Sequence, residues 1–211
     1  MTRIILIRHG QTEWNRVERF RGRADVPLNT VGLAQAEATG KRVASDASSS
    51  EEWRPVSVYS SPLARAVKTA EAIARHFDLP VQIHPGVADI DYGAWQGLTP
   101  DEVKERWPEA LCAWYTAPHT AHIPGGEILD DLRARGMAAV NELAARHAAQ
   151  TLVLVGHTVI NRIILLGVLG LGNDHFWRLR QDTCAINIFD VDTQAVEFTL
   201  VSLNDTCHLR E

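Results

Sequence analysis

Two stretches of the chain run apolar without alternation, Ile4 to Ile7 near the start and Thr151-Leu152-Val153-Leu154-Val155 late in the sequence. Short continuous runs rich in isoleucine, leucine and valine suit strands buried on both faces of a parallel sheet. Further short strands are predicted at Val56 to Tyr59 and Val81 to Ile83, and alternating ones near Ala185 to Val191 and Val196 to Leu203. Between them the apolar spacing becomes helical. Leu33, Ala36, Gly40, Val43 and Ala44 form a stripe that Thr30 can cap. Leu63, Ala66, Val67, Ala70, Ile73, Ala74 and Phe77 form a second behind Ser60-Ser61-Pro62, read as a cap followed by proline at the first helical position. Leu129, Leu132, Ala139, Val140 and Leu143 mark a long helix, and Val159 to Leu169 another. The connections are an arginine-bearing loop from Arg16 to Asp25, a serine-rich link from Asp46 to Glu52 and a loop from Gly170 to Asp174. Strands alternating with helices predict an α/β fold whose sheet is mostly parallel and mixed, completed by the last two strands.

With 211 residues, 45% hydrophobic and 22% charged, the chain reads as one ordinary globular domain, 1–211, and fibrous or disordered classes are disfavoured. A net charge of -5 offers no basic footprint for nucleic acid. The apolar start is interrupted by Arg8 too soon for a secretory segment, and Ile163 to Leu171 follows Asn161-Arg162, so no membrane partner is expected. Cys112, Cys184 and Cys207 are scattered and odd in number, which suits reduced thiols in the cytoplasm.

The chemistry gathers where strands end. Open α/β sheets bind ligands at the carboxyl ends of their strands. The first strand runs into Arg8-His9-Gly10-Gln11-Thr12-Glu13-Trp14-Asn15, the late one into Gly156-His157, and Arg65 stands in the first turn after the Val56 to Tyr59 strand. Imidazoles there serve as nucleophile, base or metal ligand, and a guanidinium offers planar donors for phosphate or carboxylate. Gly10 lets the backbone come close. Arg16, Arg19, Arg21 and Arg23 read either as a solvated loop or as charge at the mouth of the site that steers anions inward. From Pro100 to Pro124 the chain carries Trp107, Trp114 and Tyr115, an insertion around 100–125 that fits a lid or a satellite core equally. His119 and His122 lack companion ligands, so no metal is expected.

In these residues the sequence resembles the histidine phosphatase superfamily, the group that includes cofactor-dependent phosphoglycerate mutases. The octet from Arg8 matches its hallmark, and Ser60-Ser61-Pro62-Leu63-Ala64-Arg65-Ala66-Val67-Lys68-Thr69-Ala70 matches a second signature. Val87 to Thr99 looks like the third, with two departures: Asp89 where the family usually has glutamate, and Gln96 where it often has glutamate. Val155-Gly156-His157 fits the place of the second histidine, with Thr158 and Val159 replacing the usual small residues.

The resemblance implies a three-layer α/β/α phosphoglycerate-mutase-like fold and hydrolysis of small phosphomonoesters through a phosphohistidine, with no metal or organic cofactor. It implies that His9 is the nucleophile, that Arg8, Asn15, Arg65 and His157 hold phosphate, that His157 also assists catalysis, and that Asp89 is the general acid, with Asp91 and Glu127 as substitutes. The partner implied is a small phosphorylated metabolite, and a homodimer is compatible with it. The first alternative is a phosphoglycerate mutase, against which stand the form Trp95-Gln96-Gly97 and the short run from Arg65 to Asp89. The second is a non-catalytic phosphate-binding module, supported by the departure at Asp89.

Overall fold

The apolar run at the start becomes the middle of β1 (Thr2–Arg8), and the late one becomes β4 (Thr151–Gly156), all of whose residues are buried. The computed structural model describes residues 1–195 and 197–209. With β2 (Pro55–Ser60), β3 (Val81–Ile83), β5 (Ile186–Asp192) and β6 (Glu197–Asp205), these strands form one sheet in the order β3-β2-β4-β1-β5-β6. β3, β2, β4 and β1 pair in parallel; β5 runs antiparallel to β1, and β6 antiparallel to β5. Only β5 therefore opposes the common direction, and the sheet is mixed but mostly parallel.

The twofold period of a strand divides the central residues between two layers. Ile4, Leu6, Leu152 and Leu154 cluster with Leu132, Val140 and Leu143 of α6 (Leu129–Arg146) and Ile160, Ile163 and Leu166 of α7 (Thr158–Val168). Ile5, Ile7, Val153 and Val155 cluster with Val43 of α2 (Thr30–Ser49) and Ala66, Ala70 and Ile73 of α3 (Ala64–Ala74). Helices thus cover both faces, giving the three-layer α/β/α arrangement. The remaining helices are short: α1 (Glu13–Arg16), α4 (Pro100–Arg106) and α5 (Pro108–Thr116).

Several boundaries differ from the sequence reading. Asn29 caps α2, its side chain accepting from the Gly32 N–H, and Thr30 is the first helical residue. The helix runs on to Ser49, through most of the expected serine-rich link, because Gly32, Ala36, Thr39, Gly40, Val43 and Ala47 are buried along it; Leu33 lies off that face and is 49% exposed. α3 starts at Ala64 with Leu63 at its N-cap, so Pro62 precedes the helix. Ser61 is diverted to another partner, described below. α7 begins at Thr158, one residue earlier than expected, and the Gly170 to Asp174 loop leads into a 3₁₀ segment, Asn173–Arg178. Of the last predicted strand, Val196 lies outside the described residues and the remainder falls within β6. No helix among the described residues is long and apolar enough to cross a membrane.

Candidate active site

Register brings the strand ends together. β2, β4 and β1 are adjacent, with Ser60 opposite Val155 and Arg8 opposite Gly156. The ladder continues one step further: the His9 N–H donates to the Gly156 carbonyl at 3.0 Å, and the Ser61 N–H to the Val155 carbonyl at 3.0 Å. His9, Ser61 and His157 therefore emerge side by side at one level of the sheet, although as many as 148 positions separate them in sequence (157 minus 9). Close approach is built in, since a Cβ on Gly10 would lie 2.5 Å from the Gly32 carbonyl oxygen of α2.

Arg65 stands at the centre and is wholly buried. Its Nε–H is shared between Nε2 of His9 at 3.3 Å and Nδ1 of His157 at 3.2 Å. Its Nη1 donates to the Ala24 carbonyl at 2.7 Å and its Nη2 to the Gly22 carbonyl at 2.8 Å. Nη2 also lies 3.5 Å from Oδ2 of Asp89. These contacts fix the tautomers. Nδ1 of His9 sits 2.6 Å from the Gly10 carbonyl oxygen, which can only accept, so Nδ1 carries the proton and Nε2 presents a lone pair. In His157 it is Nδ1 that accepts, so Nε2 carries the proton and donates to Ser61 Oγ at 2.7 Å. The imidazole centroids are 5.0 Å apart.

Burial and the neighbouring Arg65 both push the His9 and His157 pKa values well below the ordinary range, so both rings are neutral at pH 7. Arg8 donates through Nη1 to the Gln181 carbonyl at 2.5 Å, while its buried Nε has no partner among the described residues. Desolvation, and then Arg21, lower the Arg8 pKa to about 9. The site thus holds an excess of positive charge suited to an anion.

Asp89 is 3% exposed, and burial raises its pKa while Arg65, Arg21 and Arg8 pull it down. Its loop is fastened from α6. Arg135 donates to the carbonyls of Gly86, Ala88 and Asp89 at 2.9, 2.7 and 3.0 Å and forms a two-point pair with Glu127 at 2.7 and 2.9 Å. Asp91 accepts from the Gly93 N–H and pairs with Arg23. Asp91 and Glu127 are thereby committed to other partners and do not line the cavity, whereas Asp89 does.

That cavity, of about 350 Å³, opens beside the buried cluster. Asn15, Arg19 and Arg21 of the arginine stretch line it, while Arg16 pairs with Glu13 on the surface and Arg23 with Asp91 and Glu127. Oδ1 of Asn15 accepts from Thr12, which leaves its amide N–H groups for the cavity. Gln96 accepts from the Arg23 N–H at 3.0 Å and so holds the arginine loop in place. Trp114 is both core and wall: it packs against Tyr92, Trp95, Phe176 and Trp177 and lines the cavity with Tyr115. His119 and His122 are exposed, and the described residues contain no group of three or more His, Cys, Asp or Glu suited to a metal ion.

Four contributors are absent from the sequence reading. Ser61 was read as a helix cap, yet it receives the His157 proton donor. Thr69 accepts from the Gly10 N–H and bonds the Arg65 carbonyl, tying α3 to the first motif. Arg135 holds the Asp89 loop, and Arg162 lines the cavity. Ser61 and Thr69 lie inside the second signature, where their spacing from Arg65 was the available signal; Arg135 on the amphipathic α6 and Arg162 on the apolar α7 have no local pattern.

A family model described as the histidine phosphatase superfamily (branch 1) matches residues 4–206. The chain is 34% identical to phosphoserine phosphatase 1 of Hydrogenobacter thermophilus, over all of this chain and 96% of that protein. Among solved structures, YhfR of Bacillus stearothermophilus superposes with a TM-score of 0.91 at 28% identity, each chain covered completely. A mutant phosphoserine phosphatase of Entamoeba histolytica in complex with phosphoserine superposes at 0.86 with 26% identity, again over the full length of both chains. From four ordered motifs, a shared three-layer fold and a match across nearly its whole length, the chain belongs to branch 1 of the histidine phosphatase superfamily.

Proposed function

We propose that the chain is a phosphomonoester phosphatase in which His9 accepts the phosphoryl group. One observation carries the reading: Nε2 of His9 holds a lone pair, fixed by the Nδ1 contact to Gly10, at 3.3 Å from the Nε–H of a buried arginine. A neutral imidazole in that position is a nucleophile aimed at the place where an anion is stabilised.

In the first half-reaction the Nε2 lone pair forms the N–P bond and the P–O ester bond breaks. The leaving oxygen takes the carboxyl proton of Asp89, whose raised pKa favours the acid form. Arg8, Arg65, His157 and the Asn15 amide meet the phosphoryl oxygens, whose charge is the main demand of phosphoryl transfer. For His157 this means turning its Nε2–H from Ser61 toward the anion, with the ring still neutral. In the second half-reaction the Asp89 carboxylate takes a proton from water as its oxygen attacks phosphorus, and the N–P bond breaks to restore His9. A mutase would need an acceptor alcohol in place of water. The phosphatase names of the relatives favour water.

We take the chain as one domain, with the 100–125 segment as a lid whose Trp114 and Tyr115 shape the cavity, and a small phosphorylated metabolite as substrate. A cytoplasmic setting rests on the three scattered cysteines. A homodimer would form on edge strand β6, where Val201 and Leu203 are exposed.

The test is to quench turnover of a ³²P-labelled monoester and assay for an acid-labile, base-stable label on the protein. Labelling is expected in the wild type and absent in His9→Ala. Equal labelling of both would refute the assignment.

A further inference from the structure

The cavity is lined by a cation that the chemistry above does not use. Arg162, one turn into α7, lines the cavity with Thr158, the first residue of the same helix. Its guanidinium carbon lies 5.0 Å from the Phe176 ring centroid and 4.9 Å from that of Trp177, so the fork is held by cation–π contact and its direction is set. Its Nε is fully buried and unbonded, as is Thr158 Oγ1, among the described residues. Asp182 belongs to other groups, accepting from Arg180 Nε and Asn204 Nδ2 at 2.9 Å each. Burial lowers the Arg162 pKa, an effect that the charge of Asp182 offsets only in part.

A half-buried, oriented guanidinium whose Nε has no partner among the described residues, beside an orphaned hydroxyl, is a set of donors awaiting an acceptor. The reacting phosphate has its own cations in Arg8 and Arg65, which converge with Asp89. Arg162 is carried by a different element, and the aromatic walls of Tyr92, Trp114 and Trp177 around it favour a compact group over a second dianion. The planar fork matches a carboxylate in a two-point contact, with the threonine hydroxyl as a third donor. We propose that Arg162 and Thr158 form a carboxylate subsite, and that the substrate is a monoester whose alcohol carries a carboxylate a few bonds from the phosphate. This rests on the phosphatase reading and adds to it the class of alcohol released.

The experiment compares phosphoserine with phosphoethanolamine, which lacks only the carboxylate, and uses p-nitrophenyl phosphate as the reference. In the wild type kcat/KM is expected to favour phosphoserine by roughly 10- to 100-fold, the range for a charged hydrogen-bonded pair. Arg162→Gln should abolish that preference while leaving phosphoethanolamine and p-nitrophenyl phosphate within about threefold, and Thr158→Val should reduce it severalfold, chiefly through KM. Equal loss on all three substrates, or a wild type indifferent to the carboxylate, overturns the subsite. A fourth arm uses fructose 1,6-bisphosphate; if Arg162→Gln costs this substrate more than phosphoserine, the subsite takes phosphate and the carboxylate assignment fails. Absence of p-nitrophenyl phosphate turnover in the wild type would instead refute the phosphatase reading.

Discussion

Nη2 of Arg65 lies 3.5 Å from Oδ2 of Asp89, both side chains buried, so the guanidinium that serves the two imidazoles also holds the candidate acid. An arriving phosphate competes with Asp89 and the imidazoles for the same donors. Ground-state order around Arg65 is therefore the resting form of the charge-stabilising apparatus.

Arg65→Ala should lower kcat/KM for p-nitrophenyl phosphate by about 10²- to 10³-fold, the usual loss on removing one preorganised donor from a developing charge. Arg65→Lys should recover little, because one ammonium cannot serve two imidazoles and the carbonyls of Gly22 and Ala24 together. Steady-state kinetics and inhibition by inorganic phosphate measure both; unaltered values would remove Arg65 from the pocket.

Asp89 should govern the alkaline limb of the pH profile. Its folded pKa is raised, so the proton needed by the leaving group is present at low pH and lost as pH rises through that value. Asp89→Asn should hurt alkyl phosphates far more than p-nitrophenyl phosphate, whose phenolate leaves without a proton, and should erase the limb. Equal losses for the two leaving groups would count against an acid role.

The two histidines should make the protein sensitive to mild acid. Their folded pKa values are depressed, so between those values and 6.5 the unfolded chain binds more protons, and stability falls as pH drops below about 6.5. Asp89, with a raised pKa, acts with the opposite sign above 3.8. Urea midpoints at pH 5 and pH 8 should differ in the wild type, and the difference should shrink when His9 and His157 are both replaced by glutamine.

Arg135→Met should cost about 2–4 kcal/mol of stability, since it leaves three carbonyls of the Asp89 loop without their donor and the half-buried Glu127 carboxylate with only the Asp91 N–H and the more distant Arg23. Because the residue positions Asp89 from behind, kcat for alkyl phosphates should fall more than kcat for p-nitrophenyl phosphate. Chemical denaturation with paired kinetics separates the two effects, and uniform kinetic losses would leave Arg135 a merely structural role.

Gly10→Ala should destabilise the fold by roughly 1–3 kcal/mol, as overpacking does, because the new methyl meets the Gly32 backbone carbonyl at 2.5 Å and neither chain segment can yield cheaply. Thermal unfolding measures the loss, and an unchanged melting temperature would show that α2 can shift away from the first motif.

Local sequence was sufficient where the signal is local. The unbroken apolar runs of β1 and β4 identified strands buried on both faces, and the polar motifs directly after them, Arg8-His9-Gly10 and Gly156-His157, marked the carboxyl edge. The α2 boundaries were less legible, because its buried face begins with Gly32 and ends with Ala47, small residues that carry little hydrophobic signal beyond the central stripe of Ala36, Gly40 and Val43. Ser61 has the local pattern of a cap, and only the docking of β4 beside β2 gives it His157 as a partner; likewise the pairing of Asp91 with Arg23, and of Glu127 with Arg23 and Arg135, has no local signal. The segment around Trp114 read two ways from sequence and proved to be core and cavity wall at once. Sequence by itself determined the main strands and the polar motifs at their ends, since apolar period and motif act over a few residues. Tertiary structure alone decided the tautomers of His9 and His157, the hold of Arg135 on the Asp89 loop and the exposure of Arg162 to the cavity, because each depends on a partner brought near only when separate elements dock on the sheet.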